Sequence, residues 1–157
     1  MGESATVITG GVLRSDSVNL ALKSLSPSAK YVLVHDAARA LATTDLAHRV
    51  LTALVQGESA VIPGLELIDT VKSIDAGGHV TATPDRASLR RVQTPQGFDL
   101  EVLKKAHASG AQATDDGALV EALGHKVLII NGEERALKIT TPSDLATALS
   151  MLGTSSE

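Results

Sequence analysis

An apolar, β-branched run, Tyr31–Val34, stops abruptly at His35, Asp36, Ala37, Ala38 and Arg39, and no other stretch restricts the fold as much. A run of this kind suits a strand buried on both faces of an open α/β sheet, where ligands sit in the crevice beyond the carboxyl ends of the strands. Asp36 and Arg39 then fall in that crevice, and the alanines between them leave room for a ligand to approach the backbone. A salt-bridged loop that caps the following helix is the other reading of the same residues.

Composition narrows the ligand. The 157 residues suit one ordinary domain, and the absence of cysteine excludes disulfides and thiolate metal sites while permitting a cytoplasmic location. The sequence has no apolar run of roughly 18 residues to span a membrane, and residues 1–4 lack the basic start of a signal peptide. A net charge of -4 without a basic tract argues against nucleic acid. Tyr31 and Phe98 are the only aromatics, so the core must be Val, Leu, Ile and Ala, and there are no platforms for stacking bases. A small anionic ligand held by a few local cations is the expectation.

Along the chain, residues 5–9 read as a strand broken by Gly10 and Gly11, with Ser15 or Asp16 capping a helix that carries Val18, Leu22 and Leu25. The glycine turn could present amides to an anion, with Arg14 and Ser17 beside it, or be a plain strand-to-helix turn. Thr44 is expected to cap a helix with Leu46, Val50, Leu54, Leu51 and Val55 on its apolar stripe, ending at Gly57. Residues 60–64 read as a buried strand that leaves the sheet, or lies at its edge, near Pro63.

Residues 67–74 and 79–83 alternate as a mostly polar hairpin around Ala76, Gly77 and Gly78. A lone ribbon is marginal in water, so it should pack on something, and a second subunit is favoured. Residues 89–93 form a further extended piece, stopped by turn chemistry at Thr94, Pro95, Gln96, Gly97 and Phe98. Asp99 caps a helix with Leu100, Leu103 and Ala106 inward. Thr114 caps a short helix ending at Gly124, residues 126–130 form a strand, and Asn131 with Gly132 makes a turn. Residues 137–140 are extended and hold Lys138. Thr141, Pro142 and Asp144 then open a closing helix with Leu145, Ala148, Leu149 and Leu152 on one face, fraying from Gly153. Arg86 and Lys138 could simply snorkel to water; only convergence would make them functional. The pattern is one domain, residues 1–157, with a projecting arm at about 64–88.

These segments share a further property. Gly10 and Gly11 with Arg14, Asp16, Ser17 and Val18; Val34 to Arg39; Asp69, Thr70, Val71 and Lys72; Gln93 to Phe98; Thr114, Asp115 and Asp116; and Lys138, Ile139 and Thr140 together resemble the methylerythritol phosphate cytidylyltransferase family. The match runs in order from about Val7 to Leu149. The resemblance implies a Rossmann-like nucleotidyltransferase α/β sheet of the nucleotide-diphospho-sugar transferase type with a projecting β arm, working as a homodimer through exchanged arms. It implies transfer of CMP from CTP to 2-C-methyl-D-erythritol 4-phosphate, with Mg2+ present. By the same resemblance, Arg86 and Lys138 are the catalytic pair that positions the acceptor phosphate. Asp36, Arg39, Thr70 and Thr114 contact the acceptor, and Gly11, Arg14, Ser17 and Ala37 lie near the nucleotide. Thr70 and Arg86 would serve the partner's site.

The departures matter too. The family opens with further βα units and a glycine-rich triphosphate loop that this sequence does not contain, so an N-terminally incomplete sheet and little transfer by the chain as written are expected. Val12 and Ala40 depart from the family pattern, and the loop from Ala106 to Thr114 is short. A non-catalytic binding or dimerising remnant is one alternative. A ribitol phosphate cytidylyltransferase is another, against which the alanine at Ala38 leans.

Overall fold

A computed structural model of the chain describes residues 5–111 and 113–153; the readings made for residues 1–4 and 154–157, and for Gln112 within the short loop, lie outside them. Order begins with a mixed sheet. Its middle strand β2 (Ala60–Glu66) pairs in parallel with β7 (Leu128–Asn131) on one side. On the other side it pairs antiparallel first with β6 (Gln96–Asp99) and then with β5 (Arg90–Val92), which occupy one lane end to end. β1 (Tyr31–Val34) closes this edge against β6.

Side chains alternate across a strand, and each face finds a different cover. Val61 and Tyr31 face helix α2 (Thr44–Val55), which buries Leu46, Val50 and Leu54 completely. Ala60, Phe98, Val32 and Val34 face a layer built from α1 (Arg14–Ser24), α3 (Leu100–Ala108) and α4 (Asp116–Ala122), with Leu22, Leu103 and Val120 in its core. Phe98 is the largest fully buried side chain, so a core otherwise of aliphatics is packed around one ring.

Several sequence expectations are corrected by their partners. Residues 5–9 form no strand: Val7 is 94% exposed and nothing among the described residues pairs with the segment. The same open edge leaves β1 only half-buried, with Leu33 turned partly to solvent, rather than covered on both faces. Pro63 lies inside the middle strand and is fully buried. Its carbonyl accepts Gln93 N–H at 2.8 Å, so its ring nitrogen faces the same lane, at the place where β2 exchanges β6 for β5 and needs no donor. Gln96, Gly97 and Phe98 are strand, not turn; the turn is confined to Thr94 and Pro95, joined by a cis peptide bond.

The caps shift by a residue. Thr43, not Thr44, accepts Leu46 N–H, and Asp115, not Thr114, accepts Ala118 N–H. Neither Ser15 nor Asp16 is the cap of α1; Leu13 holds that position and Asp16 reaches back to accept its N–H at 3.1 Å. Asp99 caps α3 as read, accepting from Glu101 and Val102. On α2, Leu51 and Val55 lie outside the buried stripe.

The hairpin is real but short. β3 (Ser73–Ile74) and β4 (Val80–Ala82) make a separate two-stranded sheet, wholly exposed, whose turn is held by Asp75 accepting from Gly77 and His79 N–H. Residues 137–140 are extended without becoming a strand; Ile139 N–H donates to the Ala38 carbonyl at 2.8 Å. α5 (Pro142–Gly153) starts as read, with Asp144 Oδ2 accepting Thr141 N–H and Thr141 Oγ1 accepting Asp144 N–H. Of its expected inner face only Ala148 is buried; Leu145, Leu149 and Leu152 are open among the described residues.

Two outcomes follow from this packing. A Cβ on Gly97 would meet Leu54 at 2.9 Å and Leu33 at 3.0 Å, with Val50 nearer still, so Gly97→Ala should lower stability by about 1–3 kcal/mol in urea denaturation. Asp144 is held at a pKa of about 2 by hydrogen bonds from Thr140 and Thr141. A depressed carboxylate stabilises the fold above its unfolded pKa of about 4 and loses that contribution as pH falls through its folded value. The Thr141 amide resonance of the folded chain should therefore report uncapping of α5 with a midpoint at a pH of about 2, and Asp144→Asn should remove the transition.

Candidate functional site

Three loops meet at the carboxyl end of β1. The first is the turn after β1, closed by Arg39 N–H donating to the Asp36 carbonyl at 2.9 Å. The second is the break between β5 and β6, whose side chains turn inward: Gln93, Thr94 and Gln96 are all buried. Thr94 Oγ1 accepts Asp36 N–H at 2.9 Å and shares a hydrogen bond with His35 Nδ1 at 3.0 Å, which fixes where the β1 turn can sit.

The third loop, residues 132–138, is clamped by Gln93. Gln93 Nε2 donates to the carbonyls of Glu133 at 2.8 Å and Ala136 at 3.2 Å, while its Oε1 accepts Glu133 N–H at 2.9 Å. A Cβ on Gly132 would strike that same oxygen, so the close approach requires glycine. Glu133 is held again from α2, where Thr43 Oγ1 donates to its carboxylate and Arg49 pairs with it at 2.8 Å.

The loop so fixed brings Lys138 to Asp36. Lys138 Nζ lies 3.1 Å from Asp36 Oδ2, and Arg39 Nε lies 3.8 Å from the same oxygen. Arg39 spends its terminal nitrogens on the carbonyls of Ala136 at 2.7 Å and Val92 at 3.3 Å, while its buried Nε–H has no hydrogen-bond partner. Burial pulls the Arg39 guanidinium below its ordinary pKa, with the Asp36 charge acting the other way.

Asp36, Arg39 and Lys138 line one cavity of about 220 Å³ together with Arg14, Thr114 and Asp115. Three cations and two carboxylates line it, and one of the cations, Arg14, is paired from behind by Asp116 at 2.8 Å. Such a site suits an anion of a few atoms' breadth with hydroxyls that Asp36 can accept from. The first-loop residues therefore serve both as salt bridge and as cavity wall; helix capping falls instead to Thr43.

Other candidates lie elsewhere. Gly11 N–H donates to Ser17 Oγ at 3.0 Å, which ties the glycine turn to α1; Ser17 borders an apolar groove beside β1 rather than the cavity. Ala37 is exposed on the β1 turn, and Thr70 is exposed on the arm. Arg86 stands in a short 3-10 turn, Arg86–Ser88, its guanidinium donating to the Ile68 carbonyl. It borders a separate cavity of about 570 Å³ with Glu66, Leu67 and Arg90. One chain thus unites Arg14, Asp36, Arg39, Thr114 and Lys138, and leaves Arg86 and Thr70 apart.

Sequence reasoning missed Gln93, Thr94 and Gln96 as organisers, reading Gln93 as the end of an extended piece and Thr94 and Gln96 as turn formers. The available signal was their setting: amide side chains inside a strand pattern that runs from Val92 to Phe98 can satisfy both a passing N–H and a passing carbonyl. Among the described residues no group of three or more His, Asp or Glu is placed to hold a metal by protein atoms alone, and no helix is long and apolar enough to cross a membrane.

Comparison with known proteins places this arrangement. Residues 1–154 match the sequence profile of the family described as IspD, 2-C-methyl-D-erythritol 4-phosphate cytidylyltransferase. The chain is 51% identical over 150 residues to the 2-C-methyl-D-erythritol 4-phosphate cytidylyltransferase of Nocardia farcinica, covering 96% of this chain and 65% of that protein. It is also 51% identical over 148 residues to that of Rhodococcus jostii, covering 94% and 65%. The crystal structure of 4-diphosphocytidyl-2C-methyl-D-erythritol synthase from Anaerococcus prevotii superposes with a TM-score of 0.85 at 35% identity, covering 93% of this chain and 66% of that one. The Thermus thermophilus cytidylyltransferase gives 0.81 at 40%, covering 92% and 71%. The chain thus spans about two thirds of the length of these curated relatives.

The clamp predicts its own failure. Gln93→Leu strands the Glu133 N–H and leaves the Ala136 carbonyl with Arg39 alone, and should cost about 1–3 kcal/mol in urea denaturation. The Glu133 amide should exchange with solvent faster while the Val61 amide keeps its protection, measured by native-state hydrogen exchange.

Proposed function

The chain belongs to the 2-C-methyl-D-erythritol 4-phosphate cytidylyltransferase family, and we propose that it serves that family's reaction, transfer of CMP from CTP to the phosphate of 2-C-methyl-D-erythritol 4-phosphate in non-mevalonate isoprenoid synthesis. An oxygen of the acceptor phosphate attacks the α-phosphorus of CTP, a new P–O–P bond forms, and the bond to the departing pyrophosphate breaks. A phosphate monoester needs no general base; what must be overcome is repulsion between two anions, so fixed cations and in-line placement do the work.

The observation that supports this best is the Lys138 ammonium 3.1 Å from Asp36 in a cavity shared with Arg14 and Arg39. Lys138 holds the acceptor phosphate while Asp36 accepts from its hydroxyls; Arg39, committed to two carbonyls, keeps the Asp36 turn in place. Thr114 adds a hydroxyl at the cavity rim. Gly11, Arg14, Ser17 and Ala37 belong to the nucleotide side. Asp36 and Asp115, the carboxylates lining the cavity, would be the residues to hold a magnesium ion together with the phosphates, and the ion when bound would neutralise triphosphate charge.

The arm completes the site from a second copy. Ile68 at the base of the arm and Ile74 and Val80 on its ribbon are exposed, and the ribbon has no core of its own, which favours burial against another subunit, and that placement would bring Thr70 and Arg86 to a partner's cavity. A cytoplasmic location fits the same reading. Ala38, beside the acceptor loop, favours methylerythritol phosphate over ribitol phosphate.

Titration of the 157-residue chain with methylerythritol phosphate should give saturable binding that Lys138→Ala weakens about tenfold or more without changing the melting temperature, and ribitol phosphate should compete poorly. Absence of binding by either polyol phosphate would sink the assignment. In a polypeptide of the relatives' full length, Lys138→Ala and Arg86→Ala should each slow pyrophosphate release by roughly 10²-fold or more.

A further inference from the structure

Behind the cavity lies a carboxylate to which the reaction above gives no part. Asp116, at the start of α4, has no exposed surface, and both of its oxygens are taken. Oδ1 meets His107 Nε2 at 2.9 Å, and Oδ2 meets Arg14 Nη2 at 2.8 Å. The His107 side chain is only 3% exposed, whereas the Arg14 side chain is 43% exposed and borders the cavity that holds Asp36 and Lys138. The chain from His107 through Asp116 to Arg14 therefore runs from a buried imidazole on the last turn of α3 to the mouth of the site.

A carboxylate withdrawn from water is tolerated only when it is paired and hydrogen-bonded, so Asp116 needs both partners. Arg14 needs Asp116 for a different reason. It sits on the first turn of α1, directly after the exposed residues 5–13, and a free arginine there has many rotamers and no reason to face the cavity. The ion pair selects one of them. It engages one terminal nitrogen and leaves the rest of the guanidinium fork for a phosphate. His107, by donating to the other oxygen, draws charge from the carboxylate and keeps it from swinging to Arg14 in full. Asp115, the neighbouring residue, is separately fixed by Gln96 Nε2 at 2.8 Å, and Gln96 Oε1 accepts Gly117 N–H, so the start of α4 cannot shift to follow Arg14.

We propose that Asp116 and His107 are positioning residues which hold the Arg14 guanidinium at the cavity, oriented to receive a nucleotide phosphate; the identity of that ligand rests on the function proposed above, the positioning does not. Neither residue touches substrate. Their effect is transmitted through Arg14 alone.

The test reads Arg14 directly. Phenylglyoxal labelling of Arg14, followed by peptide mass spectrometry, should be about tenfold faster in Asp116→Asn and His107→Leu than in the unsubstituted chain, as expected for loss of a hydrogen bond to a charged group. His107→Gln places an amide N–H where Nε2 stood and should restore the slow rate, which a packing role would not demand. CTP affinity, measured by titration, should fall in the same order in variants with unchanged melting temperature. Equal labelling in His107→Leu and the unsubstituted chain overturns the proposal, as does a His107→Gln rate matching that of a folded His107→Leu. If labelling follows the expected order while CTP binds to none of the proteins, the positioning stands and the nucleotide assignment is what fails. Should the variants not fold, the nitrogen-15 spectrum of the unsubstituted chain decides: His107 must carry its proton on Nε2, and a ring protonated only on Nδ1 overturns the role.

Discussion

The middle strand changes partners halfway along its length, and the site exists because of how that exchange is managed. β2 pairs with β6 through Ala60 and Val61 and with β5 through Gly64, Leu65 and Glu66. Between them lies Pro63, which has no N–H to lose, and opposite it the break at Thr94 and Pro95. A gap in the ladder would strand buried polar groups. Here the Gln93 N–H still meets the Pro63 carbonyl, and the side chains of the break are free to turn to the neighbouring loops: Gln93 takes the backbone of residues 133–136, Thr94 takes the backbone of Asp36, and Gln96 takes the start of α4. Each of these amides and hydroxyls pins one wall of the cavity.

That coupling explains why the charged residues can be so precisely placed on loops. Lys138 is half-exposed and Asp36 sits on a short turn, positions where an ion pair in water would contribute little. Their backbones, however, are hung on buried hydrogen bonds, so little entropy remains to be lost when a ligand arrives. Asp36 meanwhile occupies the Lys138 ammonium as an anion would. The same Asp36 oxygen lies 3.8 Å from Arg39 Nε, whose buried N–H has no hydrogen-bond partner among the described residues.

The legibility of the sequence follows the range of the forces involved. α2 and α3 were readable because Leu46, Val50 and Leu54, or Leu100, Leu103 and Ala106, repeat at helical spacing, and the start of α5 because Thr141, Pro142 and Asp144 form a local motif. What failed were choices made by distant partners. The strand at Gln96–Asp99 looks like a turn until β1 and β2 flank it, and residues 5–9 have strand composition but no neighbour. Of the site, the Asp36 turn was visible as the end of an apolar run. Lys138 beside it was legible only through the family resemblance and not from local pattern, because residues 133–136 are hung on Gln93, forty positions earlier. His107 had a faint signal: it follows Leu103 by four residues and so lies on the inward stripe of α3.

The arm poses the same problem as the cavity loops and lacks their solution. Among the described residues the Arg86 guanidinium is anchored to the Ile68 carbonyl alone, and it borders an open space at the arm's base; the ribbon beyond it consists of short exposed strands. A two-stranded ribbon whose apolar side chains have nothing packed against them has no means of holding a guanidinium to within a fraction of an ångström. In the proposed dimer, burial of Ile68, Ile74 and Val80 against a second copy would supply the missing constraint at the base of the arm, where Arg86 stands. Under the proposed dimer, then, the apolar surface that drives association and the cation that serves chemistry lie on one element, so that subunit pairing and completion of the acceptor site become a single equilibrium.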